Sequence, residues 1–234
     1  MTKEKKILDI RYFSDQEKNE DGTYVSIFEI DKEASALGAR IARKLRELDF
    51  TTGEFDHVYI NFTENLPNTE VAVSSKHCEK WFKYFDVGIS RNEANHLSSS
   101  DRVHFIEEKT YQVLELINQN QIALIDTVKN EIASKGSEIE LLHKHKETKS
   151  YVVKLTYQIK PNGLENSIAK IYYFDKKTGD EFTSEIELEF YEDILFLASN
   201  ISVSKGFITL KPRPSFKAEI YNKRYNVPIS IQIA

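Results

Sequence analysis

DEFTSEIELEFYED, residues 180–193, holds seven carboxylates in fourteen positions and no Lys or Arg. Within it Phe182, Ser184, Ile186, Leu188 and Phe190 alternate with Thr183, Glu185, Glu187 and Glu189. A period of two puts the first set on one side of a strand and the glutamates on the other. Three like charges in a row on a half-buried strand call for something basic opposite, either a strand of this chain or another molecule. The preceding DKKTGD loop, residues 175–180, has a Gly for a positive φ and reads as a hairpin turn back to residues 168–174. A four-residue loop sets Asp175 against Asp180, and the register then places Glu185 opposite Lys170 and Glu187 opposite Ile168. Glu189 lies beyond the paired segment. On the other side, a strand from the basic block of Lys205, Lys211, Arg213, Lys217, Lys223 and Arg224 could complete a structural ladder. Otherwise Glu185, Glu187 and Glu189 form an exposed acidic face.

Outward from this hairpin, Tyr151, Val153, Leu155, Tyr157 and Ile159 alternate up to the turn Pro161-Asn162-Gly163. Further strands are expected at residues 194–203, 207–210, 217–221 and 228–233, so the C-terminal part reads as an antiparallel β meander. The N-terminal part reads differently. Strands are expected at residues 7–13, 24–30, 58–63, 69–74 and 80–89. Asp31 is a natural N-cap for a helix to about Leu48, because Ala34, Leu37, Ile41, Leu45 and Leu48 share a face. From Val103 through Ile106, Val113, Leu114, Ile125 and Val128 to Ile132, helical spacing persists, with caps at residues 98–101 and Gly136 as the stop. Asn118-Gln119-Asn120 offers a break into two helices. The expected class is α+β: an N-terminal domain, residues 1–136, with a mixed sheet and a long helix, then an antiparallel β-rich domain or subdomain, residues 137–234.

The bulk properties exclude some functions. With 40% hydrophobic residues, 14 Phe and 12 Tyr, the chain can build a real core. Its net charge of −5 is opposite to the basic footprint of a nucleic-acid binder. One cysteine, Cys78, rules out an intramolecular disulfide and a Cys-rich metal site. The N-terminal MTKEKKILDIRYF lacks the apolar run of a signal peptide, and no stretch approaches the roughly 20 apolar residues of a membrane span. The expectation is a cytoplasmic protein without membrane contact.

Catalytic signatures are absent. Neither a phosphate-cradling glycine motif nor a nucleophile elbow occurs. His77 and Cys78 are adjacent and would point apart on a strand, so they do not make a nucleophile and base. His143 and His145 share a strand face but lack the companions of a metal site, so no metal or cofactor is expected. Asp9, Asp56 and Asp86 are acids that could converge in a hydrolase or other enzyme. The aromatic run Trp81-Phe82-Lys83-Tyr84-Phe85 places Trp81, Lys83 and Phe85 together if Tyr84 and Phe82 point inward. Exposed, Trp81 and Phe85 would suit a protein interface; a covering helix would bury them.

Residues 55–63, FDHVYINFT, followed by residues 81–89, WFKYFDVGI, resemble patterns in small bacterial proteins, some of which are similar to immunity proteins of polymorphic toxin systems. The resemblance spans residues 7–117 at most. It implies a protein-binding module, an inhibitor that meets a basic toxin surface through an acidic face. Glu185, Glu187, Glu189, Trp81 and Phe85 are the expected partner-binding residues. The alternatives are an enzyme with convergent carboxylates, or a structural or oligomerising protein. Oligomeric state is not legible in the residues.

Overall fold

The computed structural model describes residues 4–233. Two compact units divide the chain, one ending at Ile139 and the other beginning at Glu140.

In the first unit, β1 (Asp9–Ser14), α1 (Lys32–Glu47) and β2 (His57–Thr63) form a parallel crossover. Then β3 (Val71–Val73) and β4 (Phe82–Gly88) complete a sheet of order β1-β2-β4-β3. β1, β2 and β4 run parallel, and β3 is antiparallel to β4. The Asp31 carboxylate caps α1 by accepting from Ala34 N–H at 2.7 Å. Gly38, mid-helix, lets α1 approach β1: a Cβ there would lie 2.8 Å from the Tyr12 ring. After the short α2 (Arg91–His96), α3 (Ser99–Ile117) starts at the Ser98 cap and ends at Asn118. The Asn118 side chain accepts from Asn120 N–H at 3.2 Å and donates to the Thr51 carbonyl at 3.1 Å. That pair of bonds makes the expected break real, and α4 (Ile122–Lys135) follows. Ile10, Val58, Ile60, Phe62, Phe85 and Val87 from one side of the sheet join Leu37, Ile41, Val113, Leu114, Ile125 and Val128 from the helices in one core.

The second unit holds an antiparallel sheet of β5 (Leu141–Glu147), β6 (Tyr151–Tyr157), β7 (Ser167–Asp175) and β8 (Glu181–Leu188), in the order β8-β7-β6-β5. The single-turn α5 (Ile194–Leu197) leads to a second antiparallel sheet of β9 (Asn200–Ser204), β10 (Phe207–Lys211) and β11 (Ile229–Gln232); the short α6 (Phe216–Tyr221) lies between β10 and β11 in the chain. The chain is therefore α+β, with a mixed sheet and helices first and antiparallel sheets after.

Several elements differ from expectation. Only Tyr24–Ser26 is strand in residues 24–30. Ile27 and Phe28 leave it as loop and plug the core, with the Phe28 N–H held by the Ser14 hydroxyl at 3.0 Å. Residues 194–203 begin as helix, because Asp193 accepts from Phe190 N–H at 3.1 Å and starts a turn that buries Ile194 and Leu197 together. Residues 217–221 are helical, not a strand: the Ser215 hydroxyl accepts from Ala218 N–H at 3.2 Å and caps α6. Helix α2 was not anticipated, and the strand expected only at His143 and His145 runs from Leu141 to Glu147 as β5.

Candidate functional site

The strand parity that feeds the core leaves a second face on the first sheet. Register aligns it in rows: Asp9, His57 and Phe82; Arg11, Tyr59 and Tyr84; Phe13, Asn61 and Asp86. Six rings mesh there. Tyr59 lies 5.2 Å from both Phe13 and Tyr84, and 4.9 Å from Phe82. His57 and Trp81 meet edge to face at 5.0 Å, and Trp81 lies 4.5 Å from Phe82. Tyr59 is only 6% exposed although it lies outside the core cluster, because the surrounding rings cover it. Phe13 and Trp81 remain 36% and 44% exposed at the margins. Two cations sit over the rings: Arg11 at 5.8 Å from Tyr59 and Lys76 at 5.8 Å from Tyr84.

A polar knot closes the carboxyl ends of the parallel strands, where ligands of open α/β sheets usually bind. Asp15 accepts from Thr63 Oγ1 at 2.5 Å, Lys76 Nζ at 3.0 Å, Asn61 Nδ2 at 3.2 Å and Asn65 Nδ2 at 3.4 Å. Asn61 also donates to Asp86 at 3.1 Å. Burial works against the Asp15 charge, but the donors from Thr63, Lys76 and Asn61 outweigh it and hold this carboxyl below the ordinary range. With four donors already on its two oxygens, Asp15 is a fastener between loops rather than a base awaiting a substrate proton.

The other acids are tied locally. Asp9 binds Arg11 at 2.6 Å, and Asp56 binds His57 Nδ1 at 2.6 Å with Lys5 at 3.8 Å. Thus Asp9 and Asp86 share a face, yet each has its own partner. Cys78 donates to the Lys76 carbonyl at 3.3 Å, and His143 Nε2 lies 2.9 Å from the Ala198 carbonyl. Among the described residues no three His, Cys, Asp or Glu side chains gather as metal ligands.

The acidic strand β8 adopts the expected register, with Glu185 opposite Lys170 and Glu187 opposite Ile168. It is the edge of its sheet: the expected strand from residues 205–224 is not alongside. The carboxylates find partners one by one instead, two cations and one neutral amide. Lys170 reaches Glu185 at 3.3 Å, the Asn166 amide reaches Glu187, and Arg224 reaches Glu189 at 2.9 Å. Arg224 comes from the 3-10 turn Asn222–Arg224, whose geometry the hydrophobic pattern did not announce.

Of the two expected aromatic contacts, Trp81 is on the surface and Phe85 is not. Phe85 is 2% exposed and belongs to the core beneath the helices, so the shared outward face of Trp81, Lys83 and Phe85 is corrected. The outward rings are Phe82 and Tyr84, joined by Phe13 and Tyr59, which the sequence reading did not single out. A signal was there: β2 carries bulky residues at both parities, Val58, Ile60 and Phe62 against Tyr59 and Asn61, as a strand with two distinct packed faces would.

Among the described residues no helix is long and apolar enough to cross a membrane. No protein-family model, curated protein or solved structure matches the chain.

Proposed function

We propose that this chain is a protein-binding module whose docking surface is the ring-bearing face of the first sheet. The observation that carries the reading is the sheet face itself: Trp81 and Phe13 exposed at the margins of a packed plate of Tyr59, Phe82 and Tyr84, with Arg11 stacked above it. Trp, Tyr and Arg are the residues that dominate binding energy at protein interfaces, and rings already locked against each other lose little entropy on docking. The saturated Asp15 knot supports binding over catalysis, since it stiffens the edge of the face and offers no free base.

A partner with a basic surface, such as a toxin held by an immunity-like inhibitor, is the second form of this reading. It is favoured by Glu185 and Glu187 on an edge strand and Glu189 just past its end, where half-exposed carboxylates can still attract cations at long range. One comparison separates the two. The chain is used as bait against the products of neighbouring genes, beside a Trp81→Ala/Tyr84→Ala variant and a Glu187→Gln/Glu189→Gln variant. Loss of capture only in the aromatic variant supports the sheet face. A salt-sensitive loss only in the glutamine variant supports the acidic edge. Equal capture by all three rejects both.

A further inference from the structure

A cleft of the first unit lies among the helices, lined by residues of α1, α3 and α4, and has a volume of about 810 Å³. That is within the range of small-ligand sites, roughly 300–1,000 Å³. Leu37, Val103, Tyr111 and Ile132 supply apolar walls. The charged groups in the lining are largely committed. Arg40 is held by Glu33; Glu108 accepts from Gln112 at 3.0 Å and lies 3.8 Å from Lys109. Glu107 accepts from the Tyr111 hydroxyl at 3.2 Å. Lys129 has no carboxylate partner among the described residues; its ammonium lies over the Tyr111 ring, 5.7 Å from the centroid.

We propose that this cleft binds a small organic cation, an ammonium group carried on an apolar body, and that Lys129 is a tethered occupant of its cation position. The Tyr111 ring offers its negative face, and the hydroxyl ties that ring to the Glu107 carboxylate, so ring and anion together favour a positive charge. Lys129 already satisfies that preference from within the chain. Lys129 is exposed and has no carboxylate partner among the described residues, so its head can swing to solvent at little cost and uncover the Tyr111 ring, otherwise buried, for a ligand whose apolar part covers Leu37, Val103 and Ile132. An anionic ligand would instead approach Lys129 and Arg40, and would meet Glu33, Glu107 and Glu108 around them.

The test uses three probes of equal length, hexylammonium, hexanoate and hexanol, titrated by saturation-transfer NMR into the full chain and into its variants. Hexylammonium is expected to bind best to the wild type. Lys129→Met should tighten it about threefold by removing the internal competitor, and Glu107→Gln should weaken it by a similar factor. Both substitutions are on the cleft surface, so unchanged melting temperatures confirm that folding is intact. Preference for hexanoate, with loss in Lys129→Met, overturns the proposal in favour of an anion site. Equal binding of all three probes, or binding of none to wild type or Lys129→Met, also overturns it.

Discussion

Asp193 has no solvent exposure, and its charge is met from three sides: Tyr225 Oη donates at 2.6 Å, Arg224 at 2.8 Å and Phe190 N–H at 3.1 Å. Burial, then this hydrogen bond, pushes the Tyr225 hydroxyl up to about 12, so it remains a donor throughout the physiological range. Replacing Asp193 by Ala leaves Arg224 with Glu189 as its remaining carboxylate, removes the acceptor of the Tyr225 hydroxyl and unties the turn. The expected loss is roughly 2 kcal/mol, read as a lower midpoint in urea. Glu140 tests charge by pH. It accepts from Thr156 at 2.8 Å and from Tyr172 at 2.8 Å, with Lys170 at 3.6 Å. Burial opposes its charge, but these donors prevail and its carboxyl titrates below the ordinary Glu range. A lowered folded pKa contributes stability that is present above the unfolded value and lost as pH falls through the folded one. Glu140→Gln should therefore cost about 1–2 kcal/mol at neutral pH and little at strongly acid pH. Parallel acid limbs for variant and wild type would contradict this.

At the scale of the element, α3 was the plainest feature of the chain. Val113 and Leu114 are fully buried in the shared core of sheet and helices. Leu114→Asp places an unpaired charge there and should cost about 3 kcal/mol or more; an unchanged melting temperature would refute the packing. Strand β4 ends at Gly88, where a Cβ would fall 1.9 Å from the Pro67 carbonyl oxygen. Gly88→Ala must push that loop away, so a loss of about 2 kcal/mol or more is expected in denaturant unfolding. On β8 and just past its end, the Glu185 and Glu189 pairs are half-exposed, and such pairs contribute about 0–1 kcal/mol each. Glu187→Gln/Glu189→Gln should thus barely move the melting temperature. The carboxylates then serve chiefly to keep an open edge strand from pairing with other chains, and faster aggregation of the variant would register that role.

Over the whole molecule, each unit holds its own buried set: Ile41, Phe62 and Leu114 among others in the first, Leu155, Ile171 and Leu210 in the second. Expressed separately, residues 4–139 and 140–233 should each unfold in a single cooperative step by circular dichroism. A fragment that stays unfolded would show that its core is insufficient alone.

Local periodicity carried most of the elements. Alternation set the β7–β8 hairpin and its register, and the 3.6-residue stripe set α1, α3 and α4, because those patterns arise from the backbone repeat itself. Asn118 as a helix break and Asp31 as a cap were legible because a side chain competing for neighbouring backbone groups acts within a few residues. Short elements were not: α5 and α6 have too few residues for a period to emerge, and a Ser215 cap, or the Asp193 bond back to the Phe190 N–H, becomes decisive only when a buried neighbour rewards the turn. The candidate site was the least legible part. Phe13, Tyr59 and Tyr84 sit on three strands far apart in sequence, and only parallel pairing with one-residue register brings their rings within contact. Which parity of β4 faces the helices was likewise undecidable from alternating aromatics; the tertiary packing of α1, α3 and α4 on one side of the sheet buried Phe85 and left Tyr84 on the other. Sequence by itself determined where the long helices and the main strands form, while the short elements and the identity of the exposed face followed from non-local packing, since burial is a property of neighbours in space rather than of a residue's own pattern.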